Sequence, residues 1–161
     1  MTSAQTGPSP FIVRLARTGV TIGVVDALWA VVLTLAYGRS VTALWQGVAA
    51  VPFGRAMLDA GARGTLVGLG VHFCVALWWS FVFLFAHTQS AALRRLVSTT
   101  GGMAVVASLY GPAIWCVMSL LVIPVMTHTP TVITVRWVIQ LCGHALFVGL
   151  PIVWTGRRTH W

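Results

Sequence analysis

The sequence predicts an all-α membrane protein, a bundle of four transmembrane helices, from its apolar composition, its scarcity of charge and its long apolar segments. Of the 161 residues, 58% are hydrophobic and only 7% are charged, whereas soluble domains carry about 25% charged residues. A chain with so little charge cannot cover its own surface with polar groups in water. The lipid bilayer is therefore its predicted surroundings.

Four apolar segments are long enough to cross the hydrocarbon core of a membrane, which takes roughly 20 helical residues. We place the spans at residues 18–37, 65–86, 102–126 and 132–154, in a single domain of residues 11–161. Residues 1–10, MTSAQTGPSP, are predicted to form a flexible tail. The first span holds Asp26 and is longer than the apolar core of a signal peptide, so we expect it to be retained.

The longest predicted outer loop, residues 38–64, contains a short amphipathic segment. Its apolar residues recur at helical spacing after Ser40, a candidate N-cap: Leu44, Trp45, Val48 and Val51. We expect a short interfacial helix on the outer membrane surface. A re-entrant segment that roofs the bundle is the alternative. Trp45, Trp137 and Trp154, near the ends of spans, are assigned to the aromatic belt at the membrane surface.

The arginines decide the predicted orientation. The ten basic residues are all arginine and lie near the ends of apolar segments, without the clustered patch of a nucleic-acid interface, so no nucleic-acid partner is predicted. The positive-inside rule puts both termini in the cytoplasm. The inner side then carries Arg14, Arg17, Arg94, Arg95, Arg157 and Arg158, and the outer side carries Arg39, Arg55, Arg63 and Arg136. Arg136 is interpreted as a snorkelling residue.

Each span presents a face of small and polar residues. Small residues at three- and four-residue steps let neighbouring helices approach closely. In the third span this face is expected to contain Ala104, Ser108, Gly111 and Ser119, with Tyr110 nearby. The glycines assigned to helix packing are Gly19, Gly23, Gly64, Gly68, Gly111 and Gly143.

Polar residues on these faces form a predicted buried cluster of Asp26, His72, Gln140 and His144. At about 1.5 Å per helical residue, Asp26 lies about 13 Å from the inner end and His72 about 13 Å from the outer end. These levels nearly coincide in a core about 30 Å thick. An aspartate–histidine pair there would share a proton and titrate as a unit. The alternative is that each residue only bonds a neighbouring helix.

The sequence offers little to an enzyme or a metal site. Cys74, Cys116 and Cys142 lie in apolar segments without a C-x-x-C, so neither a disulfide nor a zinc site is predicted. It contains no G-x-S-x-G, H-E-x-x-H or phosphate loop. Asp26 and Asp59 are its only acidic residues. We therefore predict a non-enzymatic protein without a metal or cofactor.

Five sequence segments carry a resemblance to a known group of proteins: VDALWA, LWQGVAAVPFG, GTLVGLGVHF, LYGPAIWCVMSLLVIPVM and GHALFVGLPIVWTGRR. Together they resemble a group of small four-span bacterial inner-membrane proteins, loosely similar to the acid-stress-associated inner-membrane proteins of unknown function. The resemblance implies a multi-pass location in the bacterial inner membrane and maps the polar positions of the group to Asp26, His72 and His144. Where the group has an asparagine after a methionine, this chain has Ser119 after Met118.

Three classes of function remain open. The first is an accessory or scaffold subunit of a larger membrane assembly, with other subunits or further copies of the chain as partners. The second is a proton-linked transporter or channel for a small solute, working as an oligomer. The third is a b-type haem protein with His72 and His144 as axial ligands.

Overall fold

The computed structural model describes residues 10–157, and in this range the chain is helical with no β-strand. Four helices are long and apolar enough to cross a membrane: Pro10–Ala36, Gly61–Gln89, Thr100–Thr127 and Val135–Gly156. The predicted all-helical class and its four apolar helices are therefore confirmed. Most of the predicted flexible tail, residues 1–9, lies outside the described residues, as does Arg158.

The described helices follow one another through short connections. Two π-helical stretches interrupt the third and fourth long helices, and a 3₁₀ helix joins the second helix to the third. The elements are α1 (Pro10–Ala36), α2 (Val41–Phe53), the 3₁₀ helix (Arg55–Asp59), α3 (Gly61–Gln89), α4 (Ala91–Val97), α5 (Thr100–Cys116), a π-helix (Val117–Val122), α6 (Ile123–Thr127), α7 (Val135–His144), a second π-helix (Ala145–Gly149) and α8 (Leu150–Gly156).

The long helices begin and end at other residues than the predicted spans. α1 begins at Pro10 rather than near residue 18, so the helix also includes residues that precede the purely apolar stretch. The fourth long helix begins at Val135 rather than near residue 132, because the Thr134 side chain caps it by accepting from the Trp137 amide at 3.2 Å. Because the helix starts later than predicted, each of its residues lies fewer residues from the beginning of the helix than the predicted span implied.

The predicted helix of the first loop exists as α2, and Ser40 is its N-cap. The Ser40 hydroxyl accepts from the Ala43 amide at 3.3 Å, and the helix ends at Gly54, whose positive φ of 83° favours glycine. α2 lies against α3 with Trp45 buried. The assignment of Trp45 to the aromatic belt is therefore wrong: this side chain is 6% exposed, because it packs into the bundle.

The glycines assigned to helix packing lie where another helix or side chain comes close. At Gly64, Gly68 and Gly111 the neighbour is main chain, and an added Cβ would collide with the carbonyl groups of Met57, Trp45 and His144 respectively. At the others the added Cβ would meet the side chains of Leu77 (from Gly19), Phe73 (from Gly23) and Trp29 (from Gly143). Gly102 and Gly149, which the sequence analysis did not single out, touch the carbonyl groups of Leu96 and Ala107.

The expected packing face of the third span is wrong in part. Ala104 and Ser108 are exposed, whereas Gly111 and Ser119 are buried. The buried residues of α5 follow a different three- and four-residue series, Gly102, Ala107, Gly111 and Ile114. The reason is that α5 packs closely on the second π-helix through Ala107 and Gly111, which turns Ala104 and Ser108 away from the bundle.

Arginine side chains tie helix ends together at the end of the bundle where α1 begins and α8 ends. Arg14 donates to the Gly156 carbonyl at 2.6 Å, and Arg157 donates to the Val97 carbonyl at 3.1 Å. These carbonyls belong to helix C-terminal turns, which lack intrahelical partners and favour a nearby cation. The apolar core beside this end is tightly closed by Phe83, Leu84, Val97, Ile152 and Val153.

Candidate functional site

Three long helices bring the predicted ionisable residues to one level. Asp26 lies about 15 Å along α1 from Ala36, and His72 lies about 16 Å along α3 from Gly61, at about 1.5 Å per residue. His144 lies about 14 Å along α7 from Val135 on the same scale. Since α1 ends, and α3 and α7 begin, at the same end of the bundle, the three side chains meet.

Asp26 and His72 form the closest ionisable contact of the site. The Nδ1 atom of His72 lies 4.0 Å from Oδ2 of Asp26, and the two side chains are 13% and 21% exposed respectively. The Nε2 atom of His72 lies 2.9 Å from the Gly23 carbonyl oxygen. Gly23 thus combines two tasks, because its missing side chain admits Phe73 and its carbonyl holds the neighbouring imidazole.

The contact with Gly23 fixes which nitrogen of His72 faces Asp26. A carbonyl oxygen only accepts, so the Nε2 atom of His72 donates to the Gly23 carbonyl and carries a hydrogen. The Nδ1 atom is therefore the ring nitrogen that faces the carboxyl group of Asp26.

His144 is held in the complementary way. Its Nδ1 atom donates to the Gln140 carbonyl one turn earlier at 2.7 Å, which leaves Nε2 with the lone pair of a neutral ring. The side chain is buried, and its ring lies 4.8 Å from the ring of Trp115. The second π-helix begins directly after His144, and such π-helical turns often mark functional sites.

The side chain of Gln140 also forms a hydrogen bond with a residue of α1. The Nε1 atom of Trp29 donates to Oε1 of Gln140 at 2.7 Å, and the Trp29 ring stacks on Phe147 with centroids 4.5 Å apart. Gly143 leaves room for this indole. The bond therefore fixes the fourth long helix against α1 beside Asp26.

The four residues of the predicted cluster line one cavity of about 450 Å³, which we call the polar cavity. α2 covers it with Leu44, Trp45, Val48 and Val51. Its volume falls within the range of about 300–1,000 Å³ that is usual for small-molecule pockets. A few convergent polar groups among apolar walls are also typical of such pockets.

Arg136 lies in the first turn of α7. It lines the polar cavity together with Thr134 and Trp137. Its guanidinium donates to the Thr34 hydroxyl at 3.4 Å and lies 5.5 Å from the centre of the Tyr37 ring. A cation therefore stands between the end of the bundle and the Asp26–His72 pair.

Ser119 holds the wall of the cavity in place. Its hydroxyl accepts from Nε1 of Trp137 at 3.0 Å and donates to the Trp115 carbonyl at 2.6 Å. Its own carbonyl accepts from the Thr131 hydroxyl. The Ser119 hydroxyl therefore links the first π-helix to α7.

A second cavity of about 200 Å³ continues inward from the first, and we call it the inner cavity. Asp26, His72, His144 and Trp115 line both cavities. The remaining walls of the inner cavity are nearly all apolar, with Ile22, Val75, Ile114, Met118, Val148 and Ile152 among them. The shared polar residues thus stand at the junction of a polar and an apolar space.

The two histidines do not fit a haem held by both of them. Axial ligation needs a nitrogen lone pair from each ring directed at the iron. His144 meets this condition through Nε2, but Nε2 of His72 is bound to the Gly23 carbonyl and Nδ1 faces Asp26. In residues 10–157, no group of three or more His, Cys, Asp or Glu side chains is arranged to hold a metal ion.

Several aromatic residues line the site although the sequence pattern did not predict them there. Trp115 lines both cavities, Trp79 lines the inner one, and Trp45 lies 5.3 Å from the His72 ring. Trp79 and Trp115 stand well inside their predicted spans, away from the interfacial positions that tryptophan prefers. That depth was the signal that marked them for a role inside the bundle.

Comparison of the chain with protein-family models, curated proteins and solved structures gives no match. The resemblance to four-span inner-membrane proteins therefore stays a prediction. The proposed function therefore rests on the geometry of the cavities.

Proposed function

We propose that the protein is a non-enzymatic accessory subunit of a larger assembly in a bacterial inner membrane, and that its Asp/His site is a binding pocket. The observation that carries this proposal is the one-sided shape of the pocket. Arg136 and Thr134 line the polar cavity, whereas Ile22 and Ile152 of the apolar core line the inner cavity. In the same core, Leu84 and Val153 are completely buried, which supports a closed pocket over a solute path along the bundle.

The outward face of α3 supports the role as a subunit. Trp78, Phe81 and Phe85 form a stacked ladder with ring centroids 5.9 and 6.0 Å apart. Trp78 is 59% exposed and Phe85 is 51% exposed. Rigid aromatic side chains contribute strongly to protein interfaces, so this ladder is the surface that we propose for another membrane subunit.

The proposed placement in the membrane follows from the charges. The end of the bundle with Arg14 and Arg157 faces the cytoplasm in the proposal, and both termini lie there. The polar cavity then opens toward the outer surface. α2 lies at that surface as an interfacial helix, and its inward face roofs the pocket.

A proton-flux experiment separates a binding pocket from a proton path. The purified protein is placed in vesicles with a trapped pH-sensitive dye, and a membrane potential is applied. We expect the acidification rate of empty vesicles. Flux in the wild type that disappears in Asp26→Asn and persists in Asp59→Asn would contradict the proposal, since Asp59 is exposed outside the four long helices.

That second result would favour the alternative function, a proton-linked transporter working as an oligomer. The observation on its side is the close contact of Asp26 and His72, with His144 at the same cavity. Buried ionisable groups of this kind often form proton relays in membranes.

The subunit role is tested in native membranes. The tagged chain, 17.3 kDa by itself, is extracted in mild detergent, and we expect it in a larger complex with a different protein at fixed stoichiometry. Trp78→Ala should release this partner, whereas Leu109→Ala, an equally outward position at 67% exposure, should retain it. A chain that migrates alone or only with copies of itself would refute the proposal.

A further inference from the structure

Two arginines line one small pocket at the end of the bundle where α1 ends and α7 begins. This arginine pocket has a volume of about 170 Å³. Arg39 lies in the turn between α1 and α2, and Arg136 lies in the first turn of α7. The remaining lining residues are Thr34, Ser40, Ala43 and Leu44. Segments far apart in the chain thus bring two cationic residues to one place.

No carboxylate neutralises this pair of arginines. The chain has only two acidic residues, Asp26 and Asp59, and in the described part of the chain neither forms a salt bridge with Arg39 or Arg136. Asp26 precedes Thr34 by about 12 Å along α1 at 1.5 Å per residue. Asp59 follows α2, whose 13 residues span about 20 Å. Because a guanidinium is always charged, the pocket favours an anion.

The arginines at the opposite end of the bundle have better acceptors than this pair. Arg14 and Arg157 donate to main-chain carbonyls at 2.6 and 3.1 Å, whereas Arg136 donates to the Thr34 hydroxyl at 3.4 Å. Arg39 is exposed. A guanidinium carries several N–H donors in a planar fork, so donors of both arginines remain available to a ligand.

Two hydroxyl groups and the beginning of α2 add to the donors of the arginine pocket. The Thr34 hydroxyl accepts from Arg136, and the Ser40 hydroxyl accepts from the Ala43 amide, so each hydroxyl keeps its own hydrogen to donate. Ser40 is also the N-cap of α2, and the N-terminus of a helix carries a partial positive charge. The pocket therefore suits an anion with several acceptor oxygens.

We infer that the arginine pocket binds a phosphate group. Arginine binds phosphate through paired N–H···O bonds, and a tetrahedral phosphate directs its oxygens to more than one side. It can therefore contact Arg39 and Arg136 together and still accept from a hydroxyl. A carboxylate has only two oxygens in one plane and matches a single guanidinium fork.

The depth of the pocket favours the phosphate of a phospholipid over a free phosphate. Arg39 comes shortly after α1, the first of the four membrane-spanning helices, so it lies where the apolar segment gives way to the head-group region. Val32 and Leu35, near the end of α1, are exposed and offer apolar surface to acyl chains. Phospholipids occupy both surfaces of a bilayer, so the argument holds for either orientation of the chain.

Binding to the wild-type protein provides the first test. The protein is delipidated in a maltoside detergent, which contains no phosphate, and native mass spectrometry follows its titration with phosphatidylglycerol or with diacylglycerol. Equilibrium dialysis measures the binding of labelled inorganic phosphate. We expect one phosphatidylglycerol per chain, bound at least about tenfold more tightly than diacylglycerol, which has the same acyl chains but no phosphate.

The two ligands distinguish the sources of the phosphate group. A preference for phosphatidylglycerol over diacylglycerol supports the inference with a lipid as the source. Equal binding of the two lipids together with saturable binding of inorganic phosphate supports it with a free phosphate as the source. Equal binding of the lipids without saturable binding of inorganic phosphate would overturn the inference, as would the absence of any saturable binding.

Variants of the arginines provide the second test. We expect Arg39→Gln and Arg136→Gln each to weaken binding of the phosphate ligand about tenfold. Arg55→Gln is the matched control, because Arg55 is equally exposed but lies beyond the other end of α2, and its affinity should stay within about twofold. Unchanged affinity in both pocket variants, or an equal loss in the control, would overturn the inference. If Arg136→Gln fails to fold, Arg39→Gln decides, since Arg39 is exposed.

The phosphate site is independent of the proposed subunit role. A protein that remains in its complex but binds neither phosphatidylglycerol nor inorganic phosphate refutes only the phosphate site. A protein that binds the phosphate ligand through Arg39 and Arg136 yet migrates alone in native membranes refutes only the subunit role.

Discussion

His72 binds two different partners through its two ring nitrogens: Nδ1 lies 4.0 Å from Oδ2 of Asp26, and Nε2 lies 2.9 Å from the Gly23 carbonyl. Both partners belong to α1, so one imidazole contacts α1 at two points and holds α3 against it. An aspartate in the middle of a membrane helix costs about 2.5–3.5 kcal/mol on insertion scales. The contact with His72 offsets part of that cost after the helices associate.

The Asp26–His72 contact is tested by two substitutions of unequal polarity. Asp26→Asn should lower the free energy of unfolding by less than about 1 kcal/mol, because an amide of the same shape keeps a polar group beside Nδ1 of His72. Asp26→Leu should lower it by about 1–3 kcal/mol, because Nδ1 then faces an apolar side chain. Thermal and denaturant unfolding in nanodiscs measures both, with Asp59→Leu as the control. Equal stability of the two Asp26 variants would show that the contact contributes nothing.

Two glycines of α3 form a matched pair for helix packing. In Gly68→Ala the new Cβ meets the main chain of Trp45, whereas in Gly70→Ala it meets nothing within 4 Å. We expect Gly68→Ala to lose about 2 kcal/mol or more through displacement of α2. Gly70→Ala should be neutral or gain up to about 1 kcal/mol from helix propensity. Unfolding curves measure the difference, and similar values for the two variants would contradict the close contact.

The bond between Trp29 and Gln140 is suited to a double-mutant cycle. Trp29→Phe keeps a ring beside Gly143 but removes the donor to Oε1 of Gln140, and Gln140→Leu removes the acceptor. We expect a coupling free energy of about 1 kcal/mol between the two substitutions. The measurement compares the unfolding of the wild type, both single variants and the double variant. Simple additivity would indicate that the bond does not stabilise the bundle.

The proposed orientation is tested by labelling two exposed loop positions with a membrane-impermeant maleimide. Ala56 lies in the 3₁₀ helix and Ser98 lies between α4 and α5, and both are exposed. In a variant without the native cysteines, Ala56→Cys should react in intact spheroplasts, because the positive-inside rule places it outside. Ser98→Cys should react only after lysis. The reverse pattern would invert the proposed topology.

Much of the architecture follows from local sequence. The length of the apolar segments predicts four helices, because each must satisfy its own backbone in lipid. The four-residue step from Gly64 through Gly68 to His72 predicts one face of α3, and all three residues line contacts of that face. The local sequence also predicts Ser40 as the N-cap of α2, because its hydroxyl accepts a hydrogen bond from an amide only three residues away.

Local sequence does not show which neighbouring helix each face packs against. Periodicity defines a stripe on a helix but not how the helix is rotated against its neighbours, which is why Ala104 and Ser108 were assigned to the wrong side of α5. The same ambiguity hid Trp45, whose apolar surface suits a membrane interface as well as a bundle interior.

The sequence by itself determined that four apolar helices would carry a carboxyl group, two imidazoles and an amide on faces with small residues. Only the tertiary structure decided that these groups meet at one cavity, that Trp79 and Trp115 line its inner part, and that α2 closes it. The physical reason is that helices form through contacts within a few residues, whereas the cavity is built by contacts between segments far apart in the chain, such as the bond from Trp29 to Gln140.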